Sequence, residues 1–152
     1  ERRDSRESTR PARPGGDLPA PRRAAAMTVR RIVATIAAAD PALARAFYGD
    51  LFGLDVVMDH GWIVTYAAPA PAPAAPQISV ASEGGGGAPV PDLSIEVDDV
   101  DRVHRLAVAA GHEIVRALAD EPWGVRRFFL RDPFGRLVNV LSHLPRATGG
   151  GE

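Results

Sequence analysis

Four histidines, scattered carboxylates and no cysteine bound the chemistry open to this 152-residue chain. Without a thiol there is no disulfide, no thiolate nucleophile and no Cys-ligated zinc or iron–sulfur site. The histidines make no ligand pair by spacing: His60 falls in a turn, His104 on a helix, His112 just after the helix-ending Gly111, and His143 at the end of the last strand. What remains is a set of separate polar and aromatic groups. Asp92, as a lone carboxylate facing a cavity, would act as an acid/base or hold a cationic ligand; at the mouth of a strand after Pro91 it would be a solvated carboxylate, and both readings stand. Asn139 either hydrogen-bonds a ligand or is a satisfied interior amide. Trp62, Tyr66, Trp123 and Phe128 lie at strand positions, where flat side chains stack on planar ligands or, more commonly, pack in cores and interfaces.

Arg126, Arg127 and Arg131 share one strand, and alternation puts Arg127 and Arg131 on the face of Phe129, opposite Arg126 and Phe128. At most one set can therefore address a cavity, where an arginine would hold an anion through bidentate bonds. The glycine run Gly84 to Gly87 is not a phosphate loop, because neither a lysine nor a helix follows it; its composition reads as a flexible linker. Asp132-Pro133-Phe134-Gly135 is a type I turn and belongs to structure.

The elements that must position these groups follow from periodicity. From Arg31, Ile32, Ala34 and Ile36 alternate with Val33, Thr35 and Ala37 as a strand. Asp40-Pro41 then opens a helix whose stripe is Leu43, Ala46, Phe47 and Leu51, closed by Gly53. Strands are predicted at Leu54 to Met58, Trp62 to Tyr66 and Gln77 to Ala81, with the Ala/Pro run 67 to 76 as a stiff surface connection. The same order then repeats: a strand at Leu93 to Val97, a helix capped by Asp98 or Asp99 and ended by Gly111, and strands at Ile114 to Leu118, Arg126 to Arg131 and Leu137 to Leu141. The fold class is thus α+β: two tandem βαβββ modules, residues 29–83 and 90–143, joined into a curved eight-stranded cup with helices on its convex face. Parity makes one face uniformly apolar. The other carries Val33, Thr35, Ser79, Asp92, Ser94, Asn139 and Leu141, apolar walls with a few polar groups as a ligand cavity offers.

Residues 1–26 are rich in Arg, Pro, Gly and Ala and are expected to be disordered; Met27, just before the first periodic segment, is expected to be the natural start. The domain then spans 27–144, and 145–152 form a second disordered tail. With 18 Lys+Arg against 19 Asp+Glu, the net charge of -1 gives no field for polyanions, so nucleic acid is an unsuitable partner. No apolar run has the length of a membrane helix or forms a leader, which points to a cytoplasmic protein with no membrane partner.

The order of these elements, with FYGDLFGL at 47–54, VDDVD at 97–101, PWG at 122–124 and RDPFGRLVNV at 131–140, resembles the vicinal oxygen chelate superfamily of glyoxalases, bleomycin-binding resistance proteins and extradiol dioxygenases. The resemblance covers residues 29–143 and implies a homodimer, with the loop around Trp123 near the cavity or the neighbouring subunit. In metal-dependent members four cup-facing positions supply His, Glu or Gln ligands; the matching residues here are Val33, Ser79, Asp92 and Asn139. One carboxylate is too few for zinc or ferrous iron, so no metal or other cofactor is expected. The function expected is metal-free binding of an antibiotic or of a small aromatic or cationic metabolite at Val33, Thr35, Trp62, Tyr66, Ser79, Asp92, Ser94, Trp123, Asn139 and Leu141. The alternative is a lyase, isomerase or dioxygenase that uses a divalent metal.

Overall fold

The structure, a computed structural model, describes residues 27–69 and 75–146. The disorder expected of residues 1–26, the middle of the Ala/Pro run and most of the C-terminal tail lie outside the described residues. Eight strands form one sheet: β1 (Val29–Ala37), β2 (Asp55–Asp59), β3 (Ile63–Ala67), β4 (Gln77–Ala81), β5 (Leu93–Val97), β6 (Ile114–Glu121), β7 (Val125–Arg131) and β8 (Leu137–His143). Their order is β2-β3-β4-β1-β5-β8-β7-β6. Within each half the first strand lies parallel to the last, β1 against β4 and β5 against β8, with the remaining strands antiparallel. The halves meet where β1 and β5 pair antiparallel, Val33 opposite Ser94 and Ile32 opposite Ile95.

In the second half local signals and tertiary structure agree. Asp99 caps α1 (Val100–Ala109), its side chain accepting from the Arg102 N–H, while Asp98 accepts from the Thr28 N–H and pins the start of β1. Ser142 donates to the Val97 carbonyl and accepts from the Val100 N–H, so one hydroxyl fixes the helix N-terminus to β8. Val100 and Ala107 pack on Phe128, Val97, Val138 and Val140, and the His104 ring meets Phe128 edge-on at 4.9 Å.

The first half departs from the expected helix. Asp40 caps a short 3₁₀ turn, Pro41–Leu43, as the sequence implies, but the chain then winds into a wide π-type helix, Arg45–Leu51. A wider turn changes which side chains meet the sheet. Ala44 and Tyr48 pack against Val64, Tyr66 and Val80, whereas Leu43, Phe47 and Leu51 of the expected stripe are exposed. The glycine linker also proves to be a folded turn: Gly84 and Gly85 are buried, the Gly84 N–H donates to the Ala88 carbonyl, and Gly85, Gly86 and Gly87 all take positive φ.

Phe128 is fully buried between α1 and the sheet. Phe128→Ala is expected to destabilise the chain by about 3–5 kcal/mol, read as a lower midpoint in chemical denaturation monitored by far-ultraviolet circular dichroism.

Candidate functional site

Curling the sheet brings its two outer hairpins face to face. Trp62, from the β2–β3 turn, and Trp123, from the β6–β7 turn, meet edge to face with ring centroids 5.3 Å apart. Between them and the sheet lies Gly85, with φ +87°, where a Cβ would stand 2.6 Å from Trp123 and 2.9 Å from Trp62. Only glycine fits there. The space enclosed is a cavity of about 500 Å³, the size of a site for a small organic molecule.

Beneath Trp123 runs a buried ionic network. Arg127, 3% exposed, has its guanidinium 4.8 Å from the Trp123 ring centroid and 4.7 Å from that of Phe129. Its Nε donates to Glu121 Oε1 at 3.0 Å, and its terminal nitrogens donate to the carbonyls of Gly84 at 2.6 Å and Gly85 at 3.2 Å. Arg116 adds two further bonds to the same Glu121 oxygen. Burial pushes the Glu121 carboxyl up, and the hydrogen bonds from Arg116 and Arg127 outweigh it, so it titrates below the usual carboxylate range. Burial pushes the Arg127 guanidinium down from its ordinary value against the opposing pull of Glu121. Arg126, on the opposite parity, binds Asp101 and Asp120 on the outside. Of the arginines on β7, Arg127 is the one that lines the cup.

The floor comes from the central strands. Val33 and Thr35 of β1, Ser79 of β4, Ser94 of β5, and Asn139 and Leu141 of β8 all line the cavity, as do Trp62 and Trp123. Thr65 and Ser79 hydroxyls bond each other at 2.7 Å, and Asn139 Nδ2 donates to Ser94 Oγ at 3.1 Å. At the rim Arg31 bonds Gln77 Oε1 at 2.8 Å and lies 3.0 Å from Glu96, whose other oxygen is 2.9 Å from His143 Nδ1. Arg146 also lines the cavity.

Two expected ligand residues sit elsewhere. Tyr66 is 1% exposed on the helix side, packed with Tyr48 and Val80, and burial pushes its phenol up. It pairs with Ile78 and Val56, a register that turns Thr65, not Tyr66, into the cup. Asp92 does not line the cup: its half-exposed carboxylate accepts from the Leu137 N–H at 2.9 Å and lies 3.8 Å from Arg136. Arg31, Thr65 and Gln77 join the lining beyond the expected set, and of the two sets of β7 arginines it is Arg127 that addresses the cavity. Parity alone puts Gln77 beside Ser79 and Arg31 beside Val33; burial of Arg127 needs partners distant in sequence.

A family model, Glyoxalase/Bleomycin resistance protein/Dioxygenase superfamily, matches residues 30–140. The chain belongs to this superfamily. No curated protein matches it. Among solved structures, the superfamily fold recurs in an NAD-dependent benzaldehyde dehydrogenase from Legionella pneumophila (TM-score 0.61, 15% identity, covering 74% of this chain and 99% of that one). It recurs in methylmalonyl-CoA epimerase from Mycobacterium tuberculosis (TM-score 0.53, 20% identity, covering 78% and 89%). A superfamily member from Vibrio splendidus 12B01 is similar too (TM-score 0.54, 17% identity, covering 77% and 100%). At these identities the likeness is one of fold.

The superfamily's metal chemistry can be tested on the donors present. Val33, Ser79 and Asn139 reach the cup, offering an alkyl group, a hydroxyl and an amide, while the matching Asp92 turns away. Among the described residues no three His, Asp or Glu side chains converge as a ligand group. This donor set does not fit a divalent transition metal. Among the described residues, too, no helix is long and apolar enough to cross a membrane.

Because Glu121 titrates below its ordinary value, the stability it contributes is full above the normal carboxylate range and is lost as pH falls through its lowered folded value. The melting temperature should therefore fall as pH drops below the ordinary carboxylate range, and Glu121→Gln, already destabilised at neutral pH, should flatten that acid limb. Melting curves across this range, with near-ultraviolet circular dichroism following the tryptophans, check it.

Proposed function

We propose that this superfamily member is a metal-free binding protein that sequesters a small planar aromatic compound, an antibiotic or a metabolite, in its cup. The observation that carries the reading is the pairing of two tryptophan walls with a floor of hydroxyl and amide groups where a metal site would need carboxylates or imidazoles. Of the aromatic and cationic ligands the sequence leaves open, the cup favours the aromatic. Its nearby carboxylates are engaged: Glu96 by Arg31 and His143, Glu121 by two arginines, and Glu83 by the Gly87 N–H. Trp62, with His60 stacked at 6.0 Å on one side, offers a broad flat wall.

A homodimer is part of this reading. Ile36, Leu43 and Phe47 line one continuous apolar groove on the convex side and are exposed in the single chain. Sedimentation is expected to give twice the chain's 16.1 kDa. A monomer at micromolar concentration would remove the dimer from the reading.

The function itself is tested on untagged protein. Elemental analysis should find no stoichiometric metal, and zinc, manganese or ferrous iron should leave the melting temperature unchanged. Planar aromatic compounds should quench tryptophan fluorescence, and Trp62→Ala should weaken their binding about tenfold. Stoichiometric metal whose removal by chelator lowers stability would overturn the reading in favour of the metal-dependent lyase, isomerase or dioxygenase.

A further inference from the structure

We infer that the ligand of this cup is a flat aromatic acid, whose anionic group is held by Arg31 at one end of the cavity. The inference rests on the binding reading above and adds the chemical class of the ligand.

The charge of the lining points to an acid. Arg31, Arg127 and Arg146 line the cavity, and among the described residues Glu83 is the one carboxylate that does, with an oxygen already accepting from the Gly87 N–H. Arg127 is buried and gives its bonds to Glu121 and to the Gly84 and Gly85 carbonyls. Arg31 is placed differently. It shares the parity of Val33 and Thr35, and its side chain keeps 36% of its surface exposed. Its Nη1 donates to Gln77 Oε1, and its Nε lies 3.0 Å from Glu96 Oε2. Nε is buried; Nη2 is not, and no acceptor among the described residues takes its hydrogens.

Arg31 is also held ready. Gln77 and Glu96 fix the guanidinium from two sides, and Glu96 divides its charge, since its other oxygen is 2.9 Å from His143 Nδ1. A fork already immobilised loses less entropy when an anion meets it, and the bond formed is charge-assisted. Register adds a second cation at the same end. Arg31 lies opposite Glu96 and Glu96 beside Leu141, so β1 starts where β8 finishes, and Arg146 follows just beyond. Arg146 is exposed and has no ion pair among the described residues. A cationic ligand would be repelled there, and a neutral one would leave the Nη2 donors to water. Trp62, Trp123, Val33 and Leu141 line the same cavity of about 500 Å³ and suit the flat ring of the acid.

The test uses three naphthalenes that differ in one substituent at the same carbon: naphthoate, naphthalenesulfonate and the neutral naphthamide. In calorimetric titration of the full chain an acid should bind about tenfold tighter than the amide. Added salt should narrow that gap by weakening the acids alone. In Arg31→Gln the gap should close to less than about twofold. It should stay closed in the double variant Arg31→Gln/Glu96→Gln, which separates loss of the Arg31 contact from repulsion by a bared Glu96. Trp62→Ala should weaken all three and keep the gap. On the native protein the Arg31 Nε–H resonance should shift with the acids and not with the amide, a readout that survives if the Arg31 variants fold poorly. If neither acid outbinds the amide, or the gap persists in the double variant, the inference is overturned and the binding reading stands. The same holds if none of the three binds while other planar aromatics do. If no planar aromatic binds at all, both fall together.

Discussion

The cup depends on one buried cation. Arg127 sits between the Trp123 and Phe129 rings and joins parts of the chain that are far apart in sequence, Glu121 on the preceding strand and the carbonyls of Gly84 and Gly85 in the connection between halves. A guanidinium taken out of water must have its charge and its donors answered together, and here a carboxylate and two peptide carbonyls do so. That requirement holds the glycine turn against the second half. Gly85 in turn lets Trp62 and Trp123 close over the sheet, since any side chain there would strike both rings. Remove the cation and the turn loses its anchor, the tryptophans their support, and the cavity its wall.

Around this anchor the sheet distributes chemistry by parity. The antiparallel join of β1 with β5 sets Val33 opposite Ser94, and the parallel pair β5–β8 sets Ser94 beside Asn139. A small group of polar atoms thus gathers at the centre of an otherwise apolar floor. The opposite parity, Val97, Phe128, Val138 and Val140, packs under α1, while on the cup side Phe129 and Leu137 form a smaller cluster with Ala88. Separating the two duties is what lets the concave face vary, and one fold carry unrelated activities. In this chain the variable face has been given hydroxyls, an amide and tryptophans.

Much of this was legible in the residues. The repeated strand–helix–strand order is a local property, written in period-two alternation, in the Asp caps and in the closing glycines, and the residues of β1, β4, β5 and β8 that line the cup followed from alternation alone. Tyr66 did not, because Ile63, Val64, Thr65 and Tyr66 show no clear alternation and the face is fixed only by pairing with β4. Nor did Asp92, whose carboxylate finds a backbone donor at Leu137, 45 residues on. The first helical segment was misjudged for a related reason: a stripe at 3.6-residue spacing describes an α-helix, and packing of Tyr48 against Tyr66 goes with a wider turn.

The sequence by itself determined the class of the fold, the two-fold repetition and the exclusion of thiol chemistry, because each depends on residue type or on neighbours a few positions apart. Only the tertiary structure decided that a glycine run is a folded turn wedged against two tryptophans, that Arg127 is a buried anchor and not a solvated charge, and that Asn139 Oδ1 is buried without a hydrogen-bond partner. Those outcomes turn on burial and on partners some 40 residues away, such as Gly84 and Gly85 for Arg127 or Ser94 for Asn139. Desolvation converts an ordinary polar side chain into a demanding one, and no local pattern records which side chains will be desolvated.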